Sequence, residues 1–448
     1  MPRVFLIKPG LSGNRQDFYI NTFRLEPLAL AVLAAVMPAG WDVEFYDDAL
    51  EAIPFDRTAD WVGITVETYT AKRAYAIASE FRKRGVPVVL GGYHPTLLPE
   101  EAGEHADSVV IGEAENLIER ICKDVLQNCL QKTYRSMKPA EWAGITPRRE
   151  IFKGKGYLPV HPVEFGRGCK YRCDFCSINS FYQGAHRTRP VSDVVAEIRT
   201  LPGRNVLFVD DNFVNNGRST RELLHAIIPL KIRWAGQATL DVARDDEMLK
   251  LLKASGCVGF LIGLESLNDE NLAQIRKGTR TKQYNEALRK LRDAGIAVNG
   301  SFVFGYDGDN AESFDETLRF ARKKKFFVAG FNHLMPYPGT ALYGRLKSEG
   351  RLLYEKWWLE QNDYFGSVAF LPKNFTPDQL ALGRFRVRRK FYSWASILGR
   401  MFDFKTHANS FDNLAFFLMT NLKNRRYRTL EEEAESLPSR QLALRKIY

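Results

Sequence analysis

The run CKYRCDFC, residues 169–176, sets Cys169, Cys173 and Cys176 at the spacing C-x3-C-x2-C. Three thiolates this close can hold three irons of a [4Fe–4S] cube and leave the fourth iron without a protein ligand. An open iron can chelate a small molecule, which makes a cluster a catalyst rather than an electron carrier. Structural zinc needs a fourth ligand, usually from a second Cys/His pair, and no such pair follows. A disulfide among three near neighbours leaves one thiol over. The three cysteines are therefore read as cluster ligands and as the catalytic centre.

Outward from that run, the chain has 448 residues, 45% of them hydrophobic, and a net charge of +11. Length favours more than one domain. Six cysteines in so long a chain do not make a disulfide framework, and a labile cluster requires a reducing compartment. The opening MPRVFLIKPG is too short in apolar residues for a secretory signal. The longest apolar run, LALAVLAAVM (28–37), is half of a membrane span and is bracketed by Pro27 and Pro38. The expectation is a cytoplasmic protein with a buried helix there. The basic balance suits an anionic substrate, a nucleic acid or an anionic membrane face, and does not choose among them.

Residues 1–130 alternate short β-branched runs with helical patterns. Strands are expected at 3–8, 41–47, 61–66, 87–92 and 108–112, with helices at 28–37, 71–84 and 113–130. That rhythm predicts an α/β domain, a doubly wound (flavodoxin-like) parallel sheet that binds ligands outside the carboxyl ends of its strands. A linker is expected over 131–157. Cys122 and Cys129 are read as packing or surface residues. From 158 to 340 six further βα units predict a partial (βα)6 TIM-like barrel, with chemistry at the strands' carboxyl ends. The polar residues fall there: the cysteine loop after the first strand, Asp210, Asp211 and Asn212 after the second, Gln237 at the third, Glu265 and Ser266 after the fourth. Cys257 starts the fourth strand, at the opposite end, and reads as a small buried apolar residue. Residues 341–448 form a mainly helical, basic and aromatic C-terminal region.

The cysteine spacing, with aromatic Phe175 before the last cysteine, resembles the radical S-adenosylmethionine (SAM) superfamily. The N-terminal half resembles the cobalamin-binding domain that precedes the barrel in one class of that superfamily, through RLEPLALAVLAA (24–35), VGITVETYTAKRAYAIA (62–78), LGGYHPTLLPEEA (90–102) and IGEAE (111–115). The resemblance implies three cofactors: a [4Fe–4S] cluster, SAM and cobalamin. It further implies a SAM site drawn from Gln237, Glu265 and Ser266 of the GLES run (263–266), Phe304, Gly305 and Met335. The cobalamin site would use Thr65, Gly91, Gly92 and His94. The D-x-H-x-x-G run that supplies a histidine to cobalt is absent, so no protein imidazole on cobalt is expected.

The function implied is methylation of an unactivated carbon or phosphorus centre of a biosynthetic intermediate. A substrate radical takes a methyl from methylcobalamin more readily than from SAM. An oxidoreductase or cyclase of the same architecture is the second reading, and an RNA-modifying enzyme a third, though no RNA-binding module is visible. A methylthiotransferase would carry a second cysteine triplet. Expected partners are a small-molecule, lipid-like substrate, a flavodoxin or ferredoxin as electron donor, and a membrane surface touching the C-terminal region. The alternative for that region is a lid packing its aromatics inward.

Overall fold

The computed structural model describes residues 1–11, 24–136, 138–360 and 367–435. The rest of the expected N-terminal domain, linker and C-terminal region lies outside the described residues. By compactness the chain divides into two units, each of three stretches: Met1–Gln237, Ile275–Lys277 and Met335–Leu371, and then Ala238–Gln274, Gly278–Leu334 and Pro372–Tyr448.

The first unit begins with β1 (Arg3–Lys8), α1 (Leu28–Ala35), β2 (Asp42–Asp47), β3 (Trp61–Thr65), α2 (Ala71–Arg82), β4 (Val88–Gly91), α3 (Tyr93–Leu97), α4 (Pro99–His105), β5 (Ser108–Ile111), α5 (Ile118–Leu126) and β6 (Thr133–Arg135). All six strands are parallel, in the order β2-β1-β3-β4-β5-β6. The first five follow the flavodoxin-like order. The three-residue β6 adds a strand inside the expected linker. Sequence pattern and position agree. Central β1 buries four consecutive residues, as a strand covered on both faces must, whereas edge strand β2 alternates buried and half-buried ones. Phe5 and Ile7 enter one apolar cluster with Ile77 and Phe81, while Val4 and Leu6 enter the other with Ile121. The first cluster also holds Met335, Trp357 and Trp358 from far along the chain.

The unit continues with β7 (His161–Val163), β8 (Gly166–Arg167), α6 (Ser177–Tyr182), β9 (Arg187–Thr188), α7 (Val191–Thr200), β10 (Asn205–Phe208), α8 (Gly217–Ile227) and β11 (Arg233–Ala238). Strand β10 pairs in parallel with β7 and β11. Strands β8 and β9 form an antiparallel pair that brackets the cysteine loop.

The second unit carries α9 (Asp246–Ala254), β12 (Cys257–Glu265), α10 (Asp269–Gln274), α11 (Tyr284–Asp293), β13 (Ala297–Phe304), α12 (Ala311–Lys323), β14 (Val328–His333), α13 (Pro377–Phe391), α14 (Trp394–Met401) and α15 (Phe411–Glu435). Strands β12, β13 and β14 are parallel neighbours, so the six expected barrel strands are all present, three in each unit. The C-terminal helices fasten to this sheet through polar pins. Tyr392 Oη both receives from Ala329 N and donates to Ala329 O, at 3.2 and 3.0 Å. Arg400, buried, lies 3.9 Å above the Phe391 ring and donates to Phe326 O and to Asn421 Oδ1, each at 2.8 Å. Cys257 is buried at the start of β12, Cys122 is buried and Cys129 exposed; none of the three is in a disulfide.

Candidate functional site

The cysteine loop runs from β8 to α6, and two carboxylates hold its backbone. Asp210 accepts from Phe165 N (2.8 Å) and Gly166 N (2.9 Å), and Asp211 accepts from Gly168 N (2.8 Å). The pair thus shapes the approach to Cys169. The cap of α8 is Asn216, which accepts from Arg218 N and Ser219 N. Burial pushes the Asp210 carboxyl well above its ordinary range and raises that of Asp211. At Gly168 the backbone takes φ +84°, and a Cβ there would meet Ala185 O at 2.0 Å, so only glycine fits. Beyond it, Lys170 N donates to Asn215 Oδ1 (3.2 Å) and Asp174 N to Ile275 O (3.3 Å).

Cys173 is buried, Cys169 and Cys176 are half-buried, and none is in a disulfide. Burial raises the Cys169 and Cys176 thiols; the Asp211 carboxylate adds to the rise at Cys169, while backbone N–H groups of Asn179 and Ile178 oppose it at Cys176. Among the described residues no group of three or more His, Cys, Asp or Glu is drawn together around one metal ion. Three thiols on one anchored loop, with two still open to solvent, fit ligands spread over three irons of a cube.

Arg167, next to the loop, was not singled out by the sequence reading. It pairs with Glu113 (2.8 Å) and Glu115 (2.7 Å) of the IGEAE run and with Glu164 (2.9 Å), and its guanidinium covers Trp142 at 4.5 Å. Arg187 joins Glu113 at 2.6 Å. The signal available was the basic residue just before the cysteine run. Two of its acidic partners, Glu113 and Glu115, lie some fifty residues upstream.

At the carboxyl edge of the first sheet, Thr65 ends β3 and Gly91-Gly92 leave β4. Gly92 has φ +105°, and a Cβ there would lie 2.9 Å from Val66 O. The next residue, Tyr93, packs its ring 4.7 Å from that of Phe181 on α6, so the glycine turn adjoins the helix that follows the cysteine loop. His94 points elsewhere. It is fully buried, with Nδ1 3.4 Å from Thr68 Oγ1, and Nε2 3.0 Å from Tyr75 Oη and 3.2 Å from Glu101 Oε1. Trp358 Nε1 also donates to Glu101, at 2.8 Å. Burial alone would raise the Glu101 carboxyl, but its bonds to His94, Trp358 and Lys356 outweigh that and bring it down to about 2.

In the same unit Gln237 is exposed at the end of β11, its carbonyl accepting from Phe213 N (2.9 Å), and Met335 is buried in the apolar cluster of the first sheet. In the second unit, Glu265, Ser266 and Phe304 line one cavity of about 320 Å3. Glu265 closes β12 at φ +64°, beside a bulge in the pairing with β13. Asp309, also in the cavity wall and not anticipated, accepts from Gly305 N (2.9 Å), Tyr306 N (3.1 Å) and Asn271 Nδ2 (2.8 Å). Asn271 donates in turn to Ser266 Oγ at 3.1 Å. Burial outweighs those donors and holds the Asp309 carboxyl up at about 6.

Residues 163–321 match the radical SAM superfamily and residues 22–121 match the B12 binding domain. Over 398 residues the chain is 30% identical to bacteriochlorophyllide d C-8(2)-methyltransferase of Chlorobaculum tepidum, covering 83% of this chain and 87% of that one. This is a cobalamin-binding member of the radical SAM superfamily. Its cofactors are a [4Fe–4S] cluster, SAM and cobalamin. The radical SAM enzyme is also 25% identical over 408 residues to the anaerobic magnesium-protoporphyrin IX monomethyl ester cyclase of Cereibacter sphaeroides, covering 80% of this chain and 65% of that one. In fold it is similar to the cobalamin-dependent SAM radical enzyme OxsB (TM-score 0.67, 15% identity, 96% of this chain and 72% of that one). Among the described residues no helix is long and apolar enough to cross a membrane.

Proposed function

We propose that this enzyme methylates an unactivated carbon of a ring-bearing biosynthetic intermediate. The observation that carries the reading is the 30% identity, over most of both chains, to a methyltransferase named for a carbon position of a bacteriochlorophyllide. When bound, the cluster and SAM supply a radical that takes hydrogen from carbon, and cobalamin supplies the methyl group. The protein's own part is positional. Cys169, Cys173 and Cys176 would hold three irons, while Asp210 and Asp211 fix the backbone that presents them. Gly91 and Gly92 let the backbone approach cobalamin with Thr65 beside them. His94, engaged by Tyr75 and Glu101, would not be available to cobalt. Glu265 and Ser266 would accept from SAM's ribose and amino groups, with Phe304 and Gly305 flanking adenine. A flavodoxin or ferredoxin supplies the electron.

The test is product stoichiometry under anaerobic turnover with bacteriochlorophyllide d as the probe substrate. Methyl transfer consumes one SAM to charge cobalamin and splits another, so S-adenosylhomocysteine and 5′-deoxyadenosine should accumulate in near-equal amounts beside a methylated product. The likeness to the ester cyclase favours a second reading, ring formation without methyl transfer. Deoxyadenosine formed without matching S-adenosylhomocysteine would replace the first reading with the second.

A further inference from the structure

The outer face of the C-terminal helices is apolar where a solvent face should be polar. On α14, Trp394 and Leu398 are one helical turn apart and about half exposed, and Phe402 continues their line. On α15, Phe416, Met419 and Leu422 recur at i, i+3 and i+6 and are likewise exposed. The connection between the helices adds Phe404, 71% exposed, and the first residue of α15 adds Phe411, 83% exposed. The opposite faces are the ones that pack: Ile397 and Arg400 of α14 and Phe417 and Asn421 of α15 are buried. The two exposed stripes join, because Arg425 of α15 lies 4.9 Å over the Trp394 ring. Large contiguous apolar patches are rare on monomers and mark places of association.

Charge selects the partner. Residues 384–426 contain ten arginines and lysines against two aspartates, and the end of α15 adds Arg428 with Glu431, Glu432, Glu433 and Glu435. Of the two aspartates, Asp403 is buried against Arg292. Arg386, Arg389 and Lys390 are exposed on α13, with Asp315 of α12 shared by Arg386 and Lys390 at 3.4 Å, and Lys423 and Arg426 are exposed on α15. A second copy of this chain would bring the same cations to the contact, which repels it. An aromatic face rimmed by arginine and lysine matches the headgroup boundary of an anionic bilayer. We propose that α14 and α15 form a peripheral docking surface for anionic lipid, with the aromatic side chains entering the acyl boundary and the cations meeting the headgroups. The inner aromatics meanwhile pack against the sheet, so the region acts as a cap on one side and an adhesive face on the other.

Flotation of the full chain with vesicles tests this. Phosphatidylcholine vesicles carrying roughly one-third phosphatidylglycerol should bind at least tenfold more protein than pure phosphatidylcholine at low salt, and lose most of it at high salt. The variant W394S/L398S/F404S/F416S should lose at least tenfold in binding while retaining cobalamin and its circular dichroism. If that variant fails to fold, R386E/R389E/K390E provides the decision, with the same loss expected. Absence of binding, equal binding to neutral vesicles, or unchanged binding in a folded variant overturns the proposal. So does sedimentation showing a dimer that the serine variant abolishes, since the face would then be covered by a second copy.

Discussion

Two segments at strand ends of the first unit treat their candidate ligand side chains in opposite ways. In the G-G-Tyr93-His94 turn the imidazole is fully buried and both ring nitrogens are engaged by neighbours. In the cysteine loop the carboxylates of Asp210 and Asp211 grip backbone N–H groups, while two of the three thiols remain half open. An imidazole nitrogen has one lone pair to give, whereas a thiolate that accepts from backbone N–H groups, as Cys176 does from Asn179 and Ile178, keeps others for a metal. The difference teaches that the type of residue nominates a ligand, and the surrounding hydrogen bonds decide whether it can serve.

The largest effect that could break the contrast lies in the open loop. Replacing Cys169, Cys173 and Cys176 together by alanine should remove the cluster, about four irons and four sulfides per chain, and with it all cleavage of SAM. Iron and sulfide analysis after anaerobic reconstitution reads it, and a full complement in the triple variant would be incompatible with the assignment.

The closed turn gives a smaller effect, on stability. A Glu101 carboxyl held at about 2 in the folded protein, against 4.5 ordinarily, binds fewer protons than in the unfolded chain. Its contribution, on the order of 3 kcal/mol, is therefore present above pH about 4.5 and is lost as pH falls toward about 2. Urea midpoints of the wild type should drop across that window, and Glu101→Gln should flatten the slope. An unchanged slope would mean that the network around His94 is not held by this charge.

The smallest expected effect is none at all. His94→Gln should leave cobalamin stoichiometry and the electron paramagnetic resonance of the cob(II)alamin form unaltered, with no nitrogen splitting from a protein imidazole in either protein. Splitting that vanishes in the variant would place His94 on cobalt and erase the contrast between the loops.

Much of this is legible in the sequence. Strand runs such as RVFLIK and VNGSFVF announce themselves by β-branched and aromatic density, and the observed strands start and stop within a few residues of them. The parallel order follows from helices between strands. What stayed hidden was short or long-range. Strand β6 has three residues, too few for a period. The strand β12 runs on to Glu265 through a bulge, so the GLES run closes a strand instead of following one. Asp210 and Asp211 read as polar residues after the second strand, and their role as anchors of another loop depends on Phe165, Gly166 and Gly168, more than forty residues away. Asp309 was missed because a carboxylate in a Gly/Asp turn looks like any turn residue until Gly305, Tyr306 and Asn271 converge on it.

Trp357 and Trp358, which seal the apolar cluster beneath the N-terminal sheet, also bear on how the enzyme is made. That sheet's last strand, β6, ends at Arg135, yet the tryptophans that complete its interior are more than two hundred residues later. At translation speeds of about 5–20 residues per second, the ribosome needs roughly ten to fifty seconds to deliver them. For that interval the nascent domain has its strands but an unfinished floor, and Glu101 lacks its Trp358 donor. The N-terminal domain therefore matures late, only after the cysteine loop has already left the ribosome.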